Sequence, residues 1–208
     1  DLHKAIRRQR QMCIRDRSNK ISIVTSTNVY ANIAQNVLGK YGKATAIITS
    51  SSTDPHDFEP TTADAKKVQD AKIVVANGLG YDSWLAKLAK SSNKSAVLVG
   101  EDLMNLKSGD NPHIWFDLNM PTKYVNYLVK RLSKIDKKHA NYYKENGIKY
   151  LAKIKKVKKI ADSIDGTKQK PVYVSEPVFD YALKATHFKI GDKAFEEAIE
   201  NETDPSAK

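Results

Sequence analysis

The sequence predicts an α/β fold with a parallel sheet, and two observations support that prediction. Short runs rich in β-branched residues alternate with helical segments up to about residue 118, and strands that alternate with helices form parallel sheets covered on both faces. A long helical stretch follows at 119–165, and a strand signal returns after it. At 208 residues, of which 40% are hydrophobic, the chain can bury an ordinary core.

The predicted elements of the first part follow one another in regular order. The strands are short runs of Val, Ile, Ala and Thr at 21–26, 45–49, 72–78 and 95–100. The helices show apolar residues at helical spacing and run up to Leu38, across 62–70 and around 81–90. Thr61 or Thr62 is expected to cap the second helix. We assign 18–118 to one N-terminal α/β lobe.

The stretch 119–165 is predicted to be a linking helix. Pro121 suits its first turn, and a break is expected near Lys137 or Gly147. Apolar residues recur at helical spacing over 149–164 while lysines fill the other face, which is typical of a solvated amphipathic helix. Much of the formal charge of +11 is explained in this way. Because no recognition motif or aromatic-basic platform accompanies it, we expect no nucleic-acid partner.

A second α/β lobe is expected to begin at 166. The segment PVYVSE (171–176) predicts a strand, and the residues from about Val178 to Thr186 predict a helix. A sheet usually has four to six strands, and 166–208 holds too few of them. We therefore expect this lobe to be incomplete, with the chain truncated at its C-terminal end.

Residues 1–17 are expected to be a non-native or disordered tail. The segment QMCIRDR matches one reading frame of a transposon end used to prepare DNA libraries, so the native sequence would begin near Ser18 without its own export signal. Cys13 is the only cysteine and cannot form an internal disulfide. Three arginines precede it where a lipoprotein signal needs an apolar stretch, so we do not take Cys13 as a lipidation site.

A histidine preceded by proline occurs twice, in SSTDPHDFEPTT (51–62) and in NPHIWFD (111–117). His56 follows the second predicted strand, His113 follows the fourth, and Glu176 ends the strand after the long helix. Ligands of open α/β sheets lie outside the carboxyl ends of the strands, so all three side chains are expected where binding occurs. Imidazole nitrogens and carboxylate oxygens suit Zn²⁺ or Mn²⁺. We predict that these three residues bind one such cation.

We also predict two carboxylates that support the site, and we consider one alternative function for it. Glu59 and Asp117 are expected to orient the imidazole rings through the nitrogen that does not bind metal. A metal-dependent hydrolase could use the same His, His and Glu, with Asp57 or Glu59 as general base. No HExxH-type helix or other known catalytic spacing accompanies them. A protein without catalytic activity is therefore the leading expectation.

Four segments of the chain together resemble the metal-binding solute-binding proteins of zinc and manganese ABC transporters, the ZnuA/PsaA-like group. They are DPHDFEPT, KKVQDAKIVVANGLGYDSWLAKL, NPHIWFD and VSEPVFDYAL, and the resemblance extends from about Lys20 to Lys208. It implies two α/β lobes joined by one long rigid helix, with the metal held between them. It also implies His56, His113 and Glu176 as ligands.

The resemblance further implies a carrier that captures Zn²⁺ or Mn²⁺ as transported cargo. Such a protein would work outside the cytoplasm, as a cell-surface lipoprotein or in the periplasm, and would deliver its ion as a monomer to an ABC transporter permease in the membrane. The family's fourth ligand comes from a later strand, expected beyond Lys208. The His-rich acidic loop of many zinc-specific members is absent from 101–112. A His, His and carboxylate set without that loop slightly favours manganese, and the choice of metal stays open.

Overall fold

The computed structural model describes residues 20–200 and Thr203. The expected tail at 1–17, with Cys13, lies outside the described residues. The strands are β1 (Ile21–Thr27), β2 (Gly42–Ile48), β3 (Ile73–Ala76) and β4 (Ala96–Leu98). The α-helices are α1 (Asn28–Leu38), α2 (Thr62–Asp70), α3 (Ser83–Ser91), α4 (Met120–Ile135), α5 (Ala140–Asp162), α6 (Asp180–Ala185) and α7 (Lys193–Glu200).

The four strands form one parallel sheet, as predicted, and their order in it is β2-β1-β3-β4. Side chains that alternate along the central strands enter two apolar clusters, one on each face. Ile23 and Val75 join the cluster that contains α1 and α4, whereas Val24 and Val74 join the one that contains α2 and α3. Since both faces are covered, β3 reads as the continuous apolar run IVVA.

Loop chemistry sets where the flanking elements begin and end. Thr61 caps α2 in a capping box, in which the Asp64 N–H donates to the Thr61 hydroxyl and the Asp64 carboxylate accepts from the Thr61 N–H at 3.0 Å. Strand β4 is shorter than predicted and ends at Leu98, because the chain then enters a single wide helical turn over Val99–Leu103. The prediction for α2 and its cap is therefore confirmed, and the prediction for β4 was too long.

The stretch 119–165 forms two helices folded back on each other instead of one continuous helix. The break falls at Asp136, whose carboxylate accepts from the Tyr143 hydroxyl and from His139 Nδ1, both at 2.7 Å. Of the two break positions predicted, the one near Lys137 is right. Gly147 lies inside α5, where a Cβ would come within 2.8 Å of Val129 on α4. The absent side chain lets the two helices pack closely.

Helix α4 belongs to the sheet's own core, and α5 extends beyond it. The apolar side of α4 is fully buried through Tyr124, Val125, Leu128 and Leu132, and the proline expected in its first turn is there. The 23 residues of α5 span ~34 Å at 1.5 Å per residue. Among residues 20–200, no helix combines the length and the apolar character needed to cross a membrane.

The predicted strand at 171–176 is wrong. Val172 and Ile190 form only an isolated bridge, supported by hydrogen bonds from Val172 N to Lys189 O (2.9 Å) and from Gly191 N to Val172 O (2.7 Å). A strand needs a partner that runs beside it for several residues, and Ile190 supplies a single contact. Glu176 therefore does not end a strand, although the helix expected after it is present as α6.

Candidate metal centre

The two Pro-His fragments adopt the same local structure, which explains why the pattern occurs twice. Asp54 Oδ1 accepts a hydrogen bond from the backbone N–H of His56 at 2.8 Å. Asn111 Oδ1 accepts one from the N–H of His113 at 3.0 Å. Each fragment is thus a short turn in which an Asp or Asn side chain binds the backbone two residues later. The intervening proline restricts φ, so the turn presents its histidine in a fixed direction.

In each turn, a buried side chain also donates a hydrogen bond to the carbonyl oxygen of the proline. The indole Nε1 of Trp84 donates to Pro55 O at 3.0 Å, and Asn77 Nδ2 donates to Pro112 O at 3.0 Å. Trp84 lies on α3 and Asn77 follows β3, and both are buried. Asn77 is itself fixed because its Oδ1 accepts from the buried Tyr30 hydroxyl. These two donors, which sequence reasoning did not single out, tie the loops to the carboxyl end of the sheet.

One cleft of about 720 Å³ is lined by all three predicted ligands, His56, His113 and Glu176. His56 and Glu176 are exposed, whereas His113 is only 7% exposed. Within the described residues, no group of three or more His, Cys, Asp or Glu side chains is already arranged to hold a metal ion. The cleft gathers the donors, and their convergence on one cation stays a prediction.

Tyr81 lies between the two imidazoles. Its ring centroid is 4.9 Å from that of His56 and 6.3 Å from that of His113. Trp115 packs beside the second imidazole, with its ring centroid 5.2 Å from that of His113. Burial, followed by the nearby charge of Asp82, raises the pKa of Tyr81 to about 12. The phenol therefore stays neutral at physiological pH, and Tyr81 lines the cleft as an uncharged residue.

His113 is held as a neutral imidazole with a defined tautomer. Burial, and secondly the charge of His56, lower the pKa of His113 to about 4. Its Nδ1 is 2.8 Å from Asn111 Oδ1. Because that oxygen also accepts from the His113 backbone N–H, it acts as an acceptor, so Nδ1 carries the proton. Nε2 then keeps its lone pair, which is the form that binds a metal.

The carboxylates expected to orient the rings do not do so. Asp117 Oδ1 accepts from the backbone N–H of Asn119 at 2.8 Å, in the turn that leads into α4. Glu59 is exposed, and no hydrogen bond joins it to the His56 ring in residues 20–200. The partner of the His113 ring is Asn111, two residues upstream. The Asn-Pro-His turn itself was the sequence signal that could have identified it.

A carboxylate that sequence reasoning missed, Glu200 at the end of α7, lines the same cleft. Burial raises its pKa, the positive charge of His56 lowers it, and the charges of Glu176 and Asp54 raise it. These influences show that the group lies within electrostatic range of two predicted ligands. The cleft therefore contains more carboxylates than the single one in the predicted ligand set.

Comparison with known proteins gives a consistent result. The sequence model of the family described as "Zinc-uptake complex component A periplasmic" matches residues 23–208. The chain is 30% identical over 184 residues to the metal ABC transporter substrate-binding lipoprotein SloC of Streptococcus mutans, and this match covers 80% of the chain and 60% of SloC. It is 29% identical over 187 residues to the manganese ABC transporter substrate-binding lipoprotein PsaA of Streptococcus pneumoniae, covering 81% and 60%.

The fold agrees with that of a solved structure. The Zn(II)-bound ZnuA-like domain of Streptococcus pneumoniae AdcA superposes with a TM-score of 0.71 at 24% identity, covering 82% of this chain and 66% of that one. This likeness concerns the fold alone. The chain spans about 60% of the length of the curated relatives that it matches.

Proposed function

The chain belongs to the zinc-uptake complex component A family, and we propose from this premise that it captures a divalent transition metal for an ABC transporter. The names of its relatives SloC and PsaA describe substrate-binding lipoproteins of such transporters, which supports the proposal. The ion would be cargo that is bound and released unchanged. The site would therefore need ligands that exchange, without a catalytic base or a reactive bound water.

The observation on which the proposal rests is the pair of Asx-Pro-His turns that face one cleft with Glu176. His113 would contribute Nε2, since its Nδ1 binds Asn111. His56 and Glu176 are exposed and would meet the ion first. A buried neutral imidazole beside two accessible donors suits a cargo site, because the ion can enter from solvent while one ligand stays oriented.

The proposed cargo is Zn²⁺ or Mn²⁺. Two imidazole nitrogens favour Zn²⁺, and the first-row affinity order also favours it over Mn²⁺. Carboxylate oxygen favours Mn²⁺, and Asp54 and Glu200 line the cleft in addition to Glu176. Titration with each metal alone and with both in competition distinguishes the two.

We place the delivery step outside the cytoplasm, where a monomeric carrier would meet the transporter's permease in the membrane. The words "lipoprotein" and "periplasmic" in the descriptions of the relatives and of the family support this location. The hydrolase alternative gains no support from these comparisons. A screen of ester and phosphoester hydrolysis on the metal-loaded chain tests it, and turnover that disappears in His113→Ala would favour an enzyme.

Metal titration tests the ligand set directly. We expect the 208-residue chain to compete with a chromophoric chelator for Zn²⁺ or Mn²⁺. His56→Ala, His113→Ala and Glu176→Gln should each weaken binding at least tenfold, or by about 1.4 kcal/mol. His139→Gln is the matched control, because His139 lies in the turn between α4 and α5. Wild-type affinity in the His113 or Glu176 variant would refute this ligand set.

A further inference from the structure

The side-chain amide of Asn111 contacts both segments that carry predicted ligands. Its Oδ1 accepts from the backbone N–H of His113 at 3.0 Å and lies 2.8 Å from His113 Nδ1. Its Nδ2 donates to the carbonyl oxygen of Pro177 at 2.7 Å. Pro177 directly follows Glu176. One planar amide group therefore connects the ring of one ligand to the turn that holds another.

The orientation of this amide follows from its partners. A backbone N–H can only donate, so the atom that faces His113 N is the oxygen. A backbone carbonyl can only accept, so the atom that faces Pro177 O is the nitrogen. A flipped amide would oppose donor to donor at one end and acceptor to acceptor at the other. Two independent contacts thus fix the same orientation.

Other contacts at this junction do not reach the ligand ring. The Tyr181 hydroxyl donates to the backbone carbonyl of Asn111 at 2.9 Å. The rings of Phe116 and Phe179 pack with their centroids 5.0 Å apart. Both contacts hold the segment after Glu176 against the loop after β4. Neither touches the imidazole of His113, so they would support the junction without reporting on the ring.

We propose that Asn111 is a positioning residue that couples the two halves of the site, holding the His113 ring through Oδ1 and the Glu176 turn through Nδ2. This inference rests on the proposed metal-binding function. Because the amide is rigid and planar, rotation of the ring displaces Nδ2 and so the carbonyl of Pro177. Withdrawal of the Glu176 turn conversely releases the ring. Capture and release of the ion would then involve both ligands together.

The first test needs no metal and follows the ring nitrogens of His113 by ¹⁵N NMR. In the wild type we expect protonation at Nδ1. Asn111→Ala should shift the population toward the Nε2-protonated tautomer and change the amide signals of Glu176 and Val178. Asn111→Asp keeps an oxygen acceptor but loses the donor, so the tautomer should persist while the Glu176 and Val178 signals still change. An unchanged tautomer in Asn111→Ala would overturn the proposal.

The second test is a double-mutant cycle read by metal titration of the 208-residue chain. Glu176→Gln should weaken Zn²⁺ or Mn²⁺ binding at least tenfold alone, and less than threefold in the Asn111→Ala or Asn111→Asp background. Tyr181→Phe is the matched control, since it removes one hydrogen bond from the same junction and leaves the amide intact. In that background the full tenfold loss should remain. Additive losses with Asn111, or an equal reduction with Tyr181→Phe, would refute coupling through the amide.

The two tests separate this inference from the function on which it rests. If the chain binds neither metal, the proposed function fails, and the metal-free NMR experiment still decides whether Asn111 links the ring to the turn. If the chain binds metal, and Glu176→Gln weakens binding as much in the Asn111 variants as in the wild type, the function stands and the inference fails.

Discussion

A buried carboxyl pair predicts how the stability of this protein changes with pH. Glu196 on α7 is 0% exposed and Asp180 on α6 is 8% exposed. Both carboxylate oxygens of Glu196 are buried, and the Asp180 carboxyl lies beside them. Burial, followed by the charge of Asp180, raises the pKa of Glu196 to about 7. The folded protein therefore keeps a proton that the unfolded chain releases.

The sign and the size of the effect follow from this difference. Between the ordinary Glu value of ~4.3 and the folded value, the unfolded state binds fewer protons, so the free energy of unfolding falls as pH rises. One group contributes at most ~1.4 kcal/mol per pH unit, so about 4 kcal/mol over the window of ~2.7 units is an upper limit. Stability from this group is present below about pH 4.3 and is lost as pH rises through 7.

The test is Glu196→Gln, which keeps the shape and removes the ionisation. Urea unfolding is followed by tryptophan fluorescence between pH 4.5 and 8. As pH rises, the free energy of unfolding of Glu196→Gln should increase relative to that of the wild type. Glu145→Gln is the matched control, since Glu145 is exposed on α5, away from the carboxyl pair. That control should stay within ~0.5 kcal/mol of the wild type. Parallel pH profiles for wild type and Glu196→Gln would refute the reasoning.

Protonation of His113 changes the free energy of unfolding in the opposite direction over the same range of pH. Its lowered pKa of about 4 means that the unfolded chain takes up the proton first as pH falls. Its contribution is therefore complete above about 6.5 and is lost as pH falls toward 4. In the wild type the two slopes oppose each other between about pH 4.5 and 6.5. The Glu196→Gln variant should reveal the rise due to His113.

Three further predictions concern the supports of the cleft and of the helices. Trp84→Phe removes the donor to Pro55 O and should lower the free energy of unfolding by ~1 kcal/mol and weaken metal binding, as urea unfolding and titration would measure. Gly147→Leu places a side chain against Val129 and should cost ~1–3 kcal/mol of stability, whereas an unchanged urea midpoint would contradict close packing of α4 on α5. Glu200→Gln should weaken binding of Zn²⁺ or Mn²⁺ at least threefold by titration, and no change would exclude its carboxylate from the site.

The sheet could be predicted because each of its signals is local. The apolar run of β3 and the capping box at Thr61 are contained within a few residues. The strand predicted at 171–176 carried an equally good local pattern and failed. Strand formation also requires a neighbour, and a periodic pattern carries no information about the neighbour. The same pattern therefore gave a strand in the four-stranded sheet and an isolated bridge at Val172.

The supports of the site were beyond sequence reasoning for a related reason. Trp84 and Asn77 reach the proline carbonyls of turns that lie 29 and 35 residues away along the chain. Neither contact involves a charge or a motif. We expected a carboxylate to orient each ring, and so Asp117 was predicted where the structure has Asn111. A neutral amide serves better here, since it can accept from the ring at one end and donate to a carbonyl at the other.

The two Asx-Pro-His turns are equivalent in sequence and unequal in the fold, and that inequality bears on how an ion would enter. Both turns fix the backbone of their histidine. Only the His113 ring is also buried and bound to its Asx side chain, while the ring of His56 is exposed. A fixed ligand costs little conformational entropy on binding, and an exposed one can adapt to the arriving ion. We therefore expect mutation of His56 to change the rate of metal capture more than mutation of Asn111 does, which stopped-flow mixing with Zn²⁺ would measure.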